Sequence, residues 1–242
     1  MLREGLNKIW SFGLDCLFPQ ACLGCGQEDI FLCSNCRDQA GFLLKSAGVF
    51  RCPVCGVNSK QGMVCNRCQN QSELEQVIAL TNYQSGTVQA ELIEYLKYHF
   101  SPEASLEIKA WLKNNQELLL LLSKTDLIVP IPLHKRRYAE RGFNQAEGIA
   151  QVIAQILAKP LKVDCLKRVK ATKQQAKLNR AERISNVAAA FVCAEPKLVI
   201  NKNVLLIDDV YTTGATMQAA AQALHQMGAG QVAGFTLARG NN

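Results

Sequence analysis

The chain has 242 residues, of which 48% are hydrophobic and 19% are charged, with 27 basic and 20 acidic side chains. This composition excludes a disordered or fibrous protein, and the length suits one large domain or two unequal ones. No apolar run reaches the roughly 18–20 residues of a membrane helix. The first apolar stretch is interrupted by Arg3, Glu4 and Lys8, unlike the core of a signal peptide. We therefore expect a cytoplasmic protein without membrane insertion.

Eight of the eleven cysteines form four Cys-x-x-Cys pairs near the N-terminus. Two intervening residues let both sulfurs reach one tetrahedral ion, and in a reducing compartment such pairs bind metal more often than they form disulfides. Gly26 and Gly56 each follow the second cysteine of a pair, where a knuckle turn favours positive φ. The sequence therefore predicts a double zinc ribbon over residues 1–76. Its two structural zinc sites would use Cys22, Cys25, Cys33, Cys36, Cys52, Cys55, Cys65 and Cys68.

The pairing of these ligands has two possible arrangements. Residues 21–26 and 51–56 look like two copies of one knuckle, which favours two sequential sites, whereas a cross-braced arrangement would join alternate pairs. A redox or disulfide-rich module is disfavoured because a redox Cys-x-x-Cys occurs once, at the mouth of a βαβ unit. A zinc ion with four thiolate ligands carries a net charge of about −2. The ribbons are therefore expected to act in structure or protein contacts. The unpaired Cys16, Cys165 and Cys193 are expected to be structural thiols.

Residues 77–242 alternate between apolar strands and helices, which indicates an α/β domain with a parallel sheet. Such sheets place ligands at the carboxyl ends of their strands. The predicted strands are 77–83, 127–131, 204–207 and 232–237, and the predicted helices are 142–157 and 215–227.

One junction between strand and helix carries the strongest site signal. The stretch 204–216 is an apolar strand that ends in Asp208 and Asp209, followed by a Thr/Gly turn that opens a helix. Such a turn can direct backbone N–H groups at a phosphate, and Gly214 allows close approach. The two carboxylates can bind vicinal sugar hydroxyls or face a Mg2+ held by a diphosphate. The pattern predicts a site for a phosphorylated ribose.

This stretch resembles the 13-residue signature by which type I phosphoribosyltransferases bind 5-phosphoribosyl 1-diphosphate (PRPP). By that resemblance, Asp208 and Asp209 hold the ribose 2′- and 3′-hydroxyls. The 5′-phosphate is cradled by the turn that follows them, consisting of Thr212, Thr213, Gly214, Ala215 and Thr216. Purine-salvage relatives have an aspartate at the position of Thr212, so the pattern is similar to that of orotate-type enzymes. Hypoxanthine or guanine salvage is correspondingly disfavoured.

The positive charge of the chain is concentrated in one segment. Residues 134–183 hold 13 basic and 4 acidic side chains, a local net charge of +9, whereas the remainder carries −2. A local excess of this kind needs a polyanionic neighbour. The strand exit Pro130, Ile131 and Pro132 leads into this segment, and arginines such as Arg141 can hold a diphosphate with two hydrogen bonds. We expect the diphosphate of PRPP to bind here.

The later part of the basic segment, Leu166 to Phe191, is predicted to be a long mobile loop. A lid there would exclude water from an oxocarbenium-like transition state. The candidate catalytic cations are Lys173 in this loop and Arg141 in the earlier part of the basic segment. A solvated surface loop and a grip on the backbone of nucleic acid are alternatives that use the same residues.

Taken together, the motifs resemble the ComF (competence protein F) family over nearly the whole chain. The resemblance is carried by the four cysteine pairs, the VPIPLH and RGFNQAE runs (129–134 and 141–147), the helix 92–98 with Lys97, the run 168–191 and the PRPP loop. It implies a type I phosphoribosyltransferase fold over 77–242, preceded by the double zinc ribbon. It also implies binding of Mg-PRPP and a role in natural transformation, in which imported single-stranded DNA is handled in the cytoplasm.

Three functions fit these residues. A phosphoribosyltransferase, including one of nucleotide salvage, would transfer the phosphoribosyl group, yet no residue set identifies an acceptor and no cysteine nucleophile for glutamine remains. A non-catalytic protein would use PRPP as a signal and bind single-stranded DNA along residues 134–183, where Tyr138 and Phe143 are the aromatic side chains. An adaptor would use the ribbons to dock a helicase or translocation protein of the DNA-uptake machinery.

Overall fold

The N-terminal part of the protein consists of two similar knuckles separated by one helix. The computed structural model describes residues 21–46, 50–169 and 190–240. An isolated antiparallel bridge closes each knuckle, between Ala21 and Glu28 in the first and between Arg51 and Asn58 in the second. Helix α1 (Ser34–Ser46) lies between them. Two short 3-10 turns, Lys60–Gly62 and Asn66–Gln71, follow the second knuckle.

The remainder of the chain is built from alternating strands and helices. The strands are β1 (Gln76–Asn82), β2 (Leu127–Pro130), β3 (Leu166–Arg168), β4 (Phe191–Cys193), β5 (Val204–Tyr211) and β6 (Val232–Arg239). The helices are α2 (Val88–Leu96), α3 (Pro102–Lys113), α4 (Gln116–Leu122), α5 (Lys135–Arg141), α6 (Gln145–Leu157) and α7 (Ala215–His225). Side-chain oxygens of Thr87, Ser101, Asn115 and Asn144 accept backbone N–H bonds at the starts of α2, α3, α4 and α6, which fixes where these helices begin.

Four strands form a parallel sheet in the order β1-β6-β5-β2. Its strands are buried on both faces, as expected for a parallel sheet covered by helices. One face packs on α2, α3, α4 and α6 through side chains such as Ile128, Leu205 and Phe235. The other packs on α7 and the small β3–β4 sheet through side chains such as Val129 and Leu206. The predicted α/β class with a parallel sheet is confirmed.

Strands β5 and β6 extend further than the sequence predicted, and the basic segment is more regular. Strand β5 continues to Tyr211, so Asp208 and Asp209 lie within a strand that pairs with β6 rather than after its end. The two ends of the predicted loop Leu166–Phe191 pair as the antiparallel strands β3 and β4, which corrects the prediction of a loop there. Residues 170–189, including Lys173, and Cys16 lie outside the described residues.

The first knuckle and α1 share a core with the sheet. Phe31 and Leu32 belong to the same apolar cluster as Leu92 of α2 and Ile108 of α3. The buried carboxylate of Glu107 on α3 forms an ion pair with Arg37 of α1. Within the described ranges, the structure contains no helix that is both long and apolar enough to cross a membrane. The predicted boundary between residues 76 and 77 therefore separates two parts that pack against each other.

Candidate functional site: two four-cysteine clusters and a polar cavity at the sheet edge

The eight cysteines of the Cys-x-x-Cys pairs form two separate clusters. Within each cluster the four sulfurs lie within 4.8 Å of one another, and the sets are the sequential ones: Cys22, Cys25, Cys33 and Cys36 in the first, and Cys52, Cys55, Cys65 and Cys68 in the second. The sulfurs of Cys25 and Cys33 are 3.7 Å apart, as are those of Cys55 and Cys65. Tetrahedral zinc with Zn–S bonds of about 2.3 Å requires sulfurs about 3.8 Å apart. Both clusters therefore fit zinc.

The backbone around each cluster also favours thiolate ligands. Gly26 and Gly56 both have a φ of +75°, as the knuckle turn requires. Burial raises the pKa of the Cys22 and Cys52 thiols, but nearby backbone N–H groups outweigh it and bring the pKa of each to about 6. The amide of Cys33, for example, donates to Cys22 Sγ at 3.3 Å. One thiol of each cluster is thus primed to ionise and bind a cation.

A polar cavity of about 370 Å3 opens at the carboxyl edge of the parallel sheet. All four strands contribute to it at the end where β-strands of α/β proteins present ligands. Tyr83 follows β1, Ile131 and Pro132 follow β2, Asp208 and its neighbours end β5, and Gly240 follows β6. This edge brings together residues that lie far apart in the sequence.

Two adjacent carboxylates form the floor of the cavity. Burial raises the pKa of Asp208 well above its usual range, and the negative charge of Asp209 adds to the effect. The backbone N–H of Asp209 donates to Asp208 Oδ1 at 2.9 Å, and Gln145 Nε2 donates to Asp209 Oδ2 at 3.2 Å. A pair of carboxylates in this position is stabilised by hydroxyl donors or by a divalent cation.

The turn from β5 to α7 forms one wall of the cavity. Gly214 has a φ of +78° and precedes the first turn of the 11-residue α7. Among the residues that the structure describes, Thr213 has a buried hydroxyl oxygen without a hydrogen-bond partner. A buried hydroxyl that lacks a partner is costly unless a ligand supplies one. The turn and the N-terminus of α7 together offer a phosphate site in which Thr213 is one donor.

Among the residues that the structure describes, four cations also line the cavity: Lys97, Arg137, Arg141 and Arg168. Burial and the nearby charge of Arg137 lower the pKa of Arg168, while Asp208 acts in the opposite direction. The Arg168 guanidinium also lies over the Phe191 ring, 5.4 Å from its centroid, which holds β3 against β4. Arg141 donates to Gln145 Oε1 at 3.1 Å and so belongs to the same hydrogen-bonded chain as Asp209. The cavity thus has a cationic wall suited to a diphosphate.

A third carboxylate lies on the wall formed by α2. Glu94 forms an ion pair with Lys97 and accepts a hydrogen bond from Tyr83 Oη at 3.2 Å. The bond to Lys97 lowers the pKa of Glu94, so that this carboxylate remains ionised. The α2 wall of the cavity therefore carries one negative side chain, Glu94, and one positive side chain, Lys97.

Most of the predicted ligand residues line this cavity. Asp208, Asp209, Arg141, Ile131, Pro132 and the whole turn from Thr212 to Thr216 are among its lining residues. Pro130 is an exception, because it is a buried residue of β2 whose neighbours Ile131 and Pro132 reach the cavity instead.

Three lining residues, Tyr83, Glu94 and Gln145, are not among the ligands predicted from the sequence, whereas Arg137 and Arg168 are expected only as members of the basic segment. Gln145 lies in the RGFNQAE run, so motif position was a usable signal for it. Glu94 and Lys97 are one helical turn apart, a spacing that indicates an ion pair. No sequence signal separates Arg168 from the other cations of the basic segment.

Comparisons with known proteins agree with this architecture. The model of the double zinc ribbon domain matches residues 13–71, and that of the phosphoribosyl transferase domain matches residues 144–242. The DNA utilization protein YhgH of Salmonella typhimurium is 31% identical over 195 residues, covering 78% of this chain and 83% of that protein. The competence protein ComFC of Bacillus subtilis is 29% identical and covers 97% of both chains. ComFC of Streptococcus pneumoniae is 29% identical, covering 88% of this chain and 89% of the relative.

Fold and site together define a protein with a double zinc ribbon and a phosphoribosyltransferase-type α/β domain. The chain belongs to the ComF family, which includes ComFC and YhgH.

Proposed function

We propose that the cavity binds PRPP together with Mg2+. The observation that carries this proposal is the meeting of three groups at one sheet edge: the Asp208–Asp209 pair, the Thr212–Thr216 turn and the lining arginines Arg137, Arg141 and Arg168. A sugar diol, a monophosphate and a diphosphate are the groups that these three surfaces match, and PRPP carries all of them.

Each part of PRPP has a matching set of side chains. The 5′-phosphate would bind the Thr212–Thr216 turn, where the Thr213 hydroxyl gains a partner. The ribose hydroxyls would donate to Asp208 and Asp209, and the diphosphate would face Arg141 and Arg168. Asp208 and Asp209 are also the carboxylates that would hold Mg2+, whose charge would supply stabilisation of diphosphate as a leaving group.

Isothermal titration tests this binding directly. Wild-type protein is titrated with PRPP with and without Mg2+, and with ribose 5-phosphate and diphosphate alone. The variant Asp208→Asn plus Asp209→Asn keeps the size of both side chains and removes their charge. We expect it to lose at least about tenfold in affinity for Mg-PRPP, because hydrogen bonds to charged groups contribute about 1.5–3 kcal/mol each. Equal affinity in the variant and the wild type would refute the site.

We further propose that the protein acts in the use of DNA during competence, as the names of its relatives suggest. The surface that supports this proposal is α5, which has no buried residues and presents Lys135 and Arg136 beside Tyr138, itself 48% exposed. Cations and an exposed aromatic ring are the groups that bind single-stranded DNA. Such binding would take place in the cytoplasm, with helicase or translocation proteins of DNA uptake as candidate partners.

A salt titration of binding to a fluorescent oligonucleotide tests the role of α5. On single-stranded DNA, each lysine or arginine that contacts a phosphate contributes about 0.7 to the slope of log affinity against log salt. Lys135→Ala plus Arg136→Ala should therefore lower the magnitude of the slope by about 1.4. The matched control is Lys113→Ala plus Lys202→Ala, two exposed lysines elsewhere on the fold, which should leave it unchanged. An equal effect of both double variants would refute a DNA surface on α5.

Release of diphosphate from Mg-PRPP distinguishes a transferase from a PRPP-responsive binding protein. The assay screens nucleobases and single-stranded DNA as acceptors, with Asp208→Ala plus Asp209→Ala as the inactive control. Release that requires an acceptor and disappears in the variant identifies a phosphoribosyltransferase. Binding without release identifies PRPP as a signal.

A further inference from the structure

A buried tyrosine connects the second zinc knuckle to the phosphate turn. Tyr211, the last residue of β5, is only 2% exposed, and its Oη donates to the carbonyl of Pro53 at 2.8 Å. Pro53 lies between the cluster ligands Cys52 and Cys55. A Cβ atom at Gly214 would come within 2.0 Å of the same Oη. The tyrosine side chain therefore touches the knuckle and the phosphate turn at once.

A buried arginine on the neighbouring strand makes the same connection. Arg239 pairs with Tyr211 in the sheet, is 4% exposed and lies with its Cζ 4.9 Å from the centroid of the tyrosine ring. Its guanidinium donates to the carbonyls of Arg51 and Cys52, both at 2.9 Å. A buried charge depends strongly on such acceptors, because water cannot replace them without opening the structure.

The three carbonyls that accept these bonds belong to one short stretch, Arg51–Pro53, which contains a cluster ligand. The shape of a knuckle of this size depends on its metal, since the binding of zinc and the folding of such a segment are coupled. The first knuckle packs differently, because Leu23, the counterpart of Pro53, lies against the apolar cluster that contains Leu92 and Ile108 and does not line the cavity. The two clusters are alike in ligands and unlike in what they support.

We propose that the second zinc knuckle is the support of the phosphate turn, with Tyr211 and Arg239 as positioning residues. Metal in the second cluster holds Arg51–Pro53 in place, which in turn holds Tyr211 and the turn that ends at Thr216. The first cluster stabilises the fold without this effect. Loss of metal from the second cluster should therefore loosen the backbone of the phosphate turn and weaken PRPP binding. The effect on PRPP binding rests on the proposed function, whereas the effect on the backbone does not.

Hydrogen–deuterium exchange tests the proposal without any ligand. Cys25 and Cys55 are equivalent, exposed members of the two clusters, so Cys55→Ser and Cys25→Ser form a matched pair. Native mass spectrometry counts the zinc ions of each variant after treatment with a chelator. We expect amides of residues 210–216 to exchange about tenfold faster in Cys55→Ser that has lost one zinc, and at the wild-type rate in Cys25→Ser. Wild-type exchange in both variants, or the same increase in both, would overturn the proposal.

Tyr211→Phe provides a second variant that retains both zinc ions and the aromatic ring. It removes the hydroxyl and with it the hydrogen bond to Pro53, and we expect exchange in residues 210–216 to rise several-fold. Exchange at the wild-type rate in this variant would show that the Tyr211 hydroxyl does not hold the phosphate turn.

Titration of the same proteins with Mg-PRPP distinguishes failure of the proposed function from failure of the proposed support of the turn. Failure of the wild type to bind refutes the proposed function, and unaltered exchange refutes the connection.

Discussion

The substitution Gly214→Ala measures how closely the phosphate turn is packed against its support. Gly214 has a φ of +78°, a region that costs a residue with a side chain about 1–2 kcal/mol. The new Cβ would also lie 2.0 Å from Tyr211 Oη and 2.5 Å from Cζ, so the tyrosine ring must move. That movement breaks its bond to Pro53, and the loss of this buried hydrogen bond adds a further cost of about 1–3 kcal/mol.

These two effects together predict a loss of about 2–5 kcal/mol in the free energy of unfolding. For a chain of this size that corresponds to a drop of roughly 4–20 °C in Tm. The control is Gly86→Ala, because Gly86 has an equivalent φ of +79° and no atom within 4 Å of the new Cβ. Gly86→Ala should lower the free energy of unfolding only by the cost of a positive φ, about 1–2 kcal/mol.

Urea unfolding of the zinc-loaded wild type and both variants, followed by circular dichroism, gives the required free energies. Titration with Mg-PRPP shows whether Gly214→Ala also weakens binding, as a displaced turn should. Equal destabilisation by Gly214→Ala and Gly86→Ala would show that Tyr211 is not packed against the turn.

Three further substitutions test other parts of the structure. Asp208→Asn removes a partly buried carboxyl whose pKa is raised by desolvation and by Asp209, so it should increase Tm of the unliganded protein by about 2–4 °C at pH 7. The gain should shrink as pH falls through the folded-state pKa, because the wild-type carboxyl is then neutral. Arg168→Ala should weaken Mg-PRPP binding at least about tenfold in a titration, through the loss of a charged hydrogen-bond donor. Arg37→Ala leaves the buried Glu107 without its ion-pair partner and should cost about 1–3 kcal/mol in urea unfolding. Its control, Arg136→Ala, breaks a pair exposed at both ends and should cost less than about 0.5 kcal/mol.

The sequence was most informative where a site is made by contiguous residues. The Cys-x-x-Cys pairs hold their ligands three residues apart, so spacing alone predicted the eight ligands, and the likeness of the two knuckles favoured the sequential sets. The stretch Val204–Thr216 likewise contains a strand, a carboxylate pair and a turn in one run. In both cases the local backbone dictates the geometry, and no knowledge of distant residues is needed.

The sequence was least informative where distant segments meet. Arg168 and Tyr83 reach the cavity only because β1, β2 and β5 end at one edge while β3 pairs with β4, and no local pattern encodes that meeting. The link from Tyr211 to Pro53 joins residues 158 positions apart through one hydrogen bond. No local pattern at Tyr211 indicates this partner, which follows from how the ribbon packs on the sheet.

A crystal structure of the protein grown with Mg-PRPP tests the proposed site most directly. We expect the 5′-phosphate on the Thr212–Thr216 turn, the ribose hydroxyls on Asp208 and Asp209, and the diphosphate beside Arg141 and Arg168. Density for PRPP elsewhere on the protein, or a cavity that stays empty at saturating ligand, would contradict it.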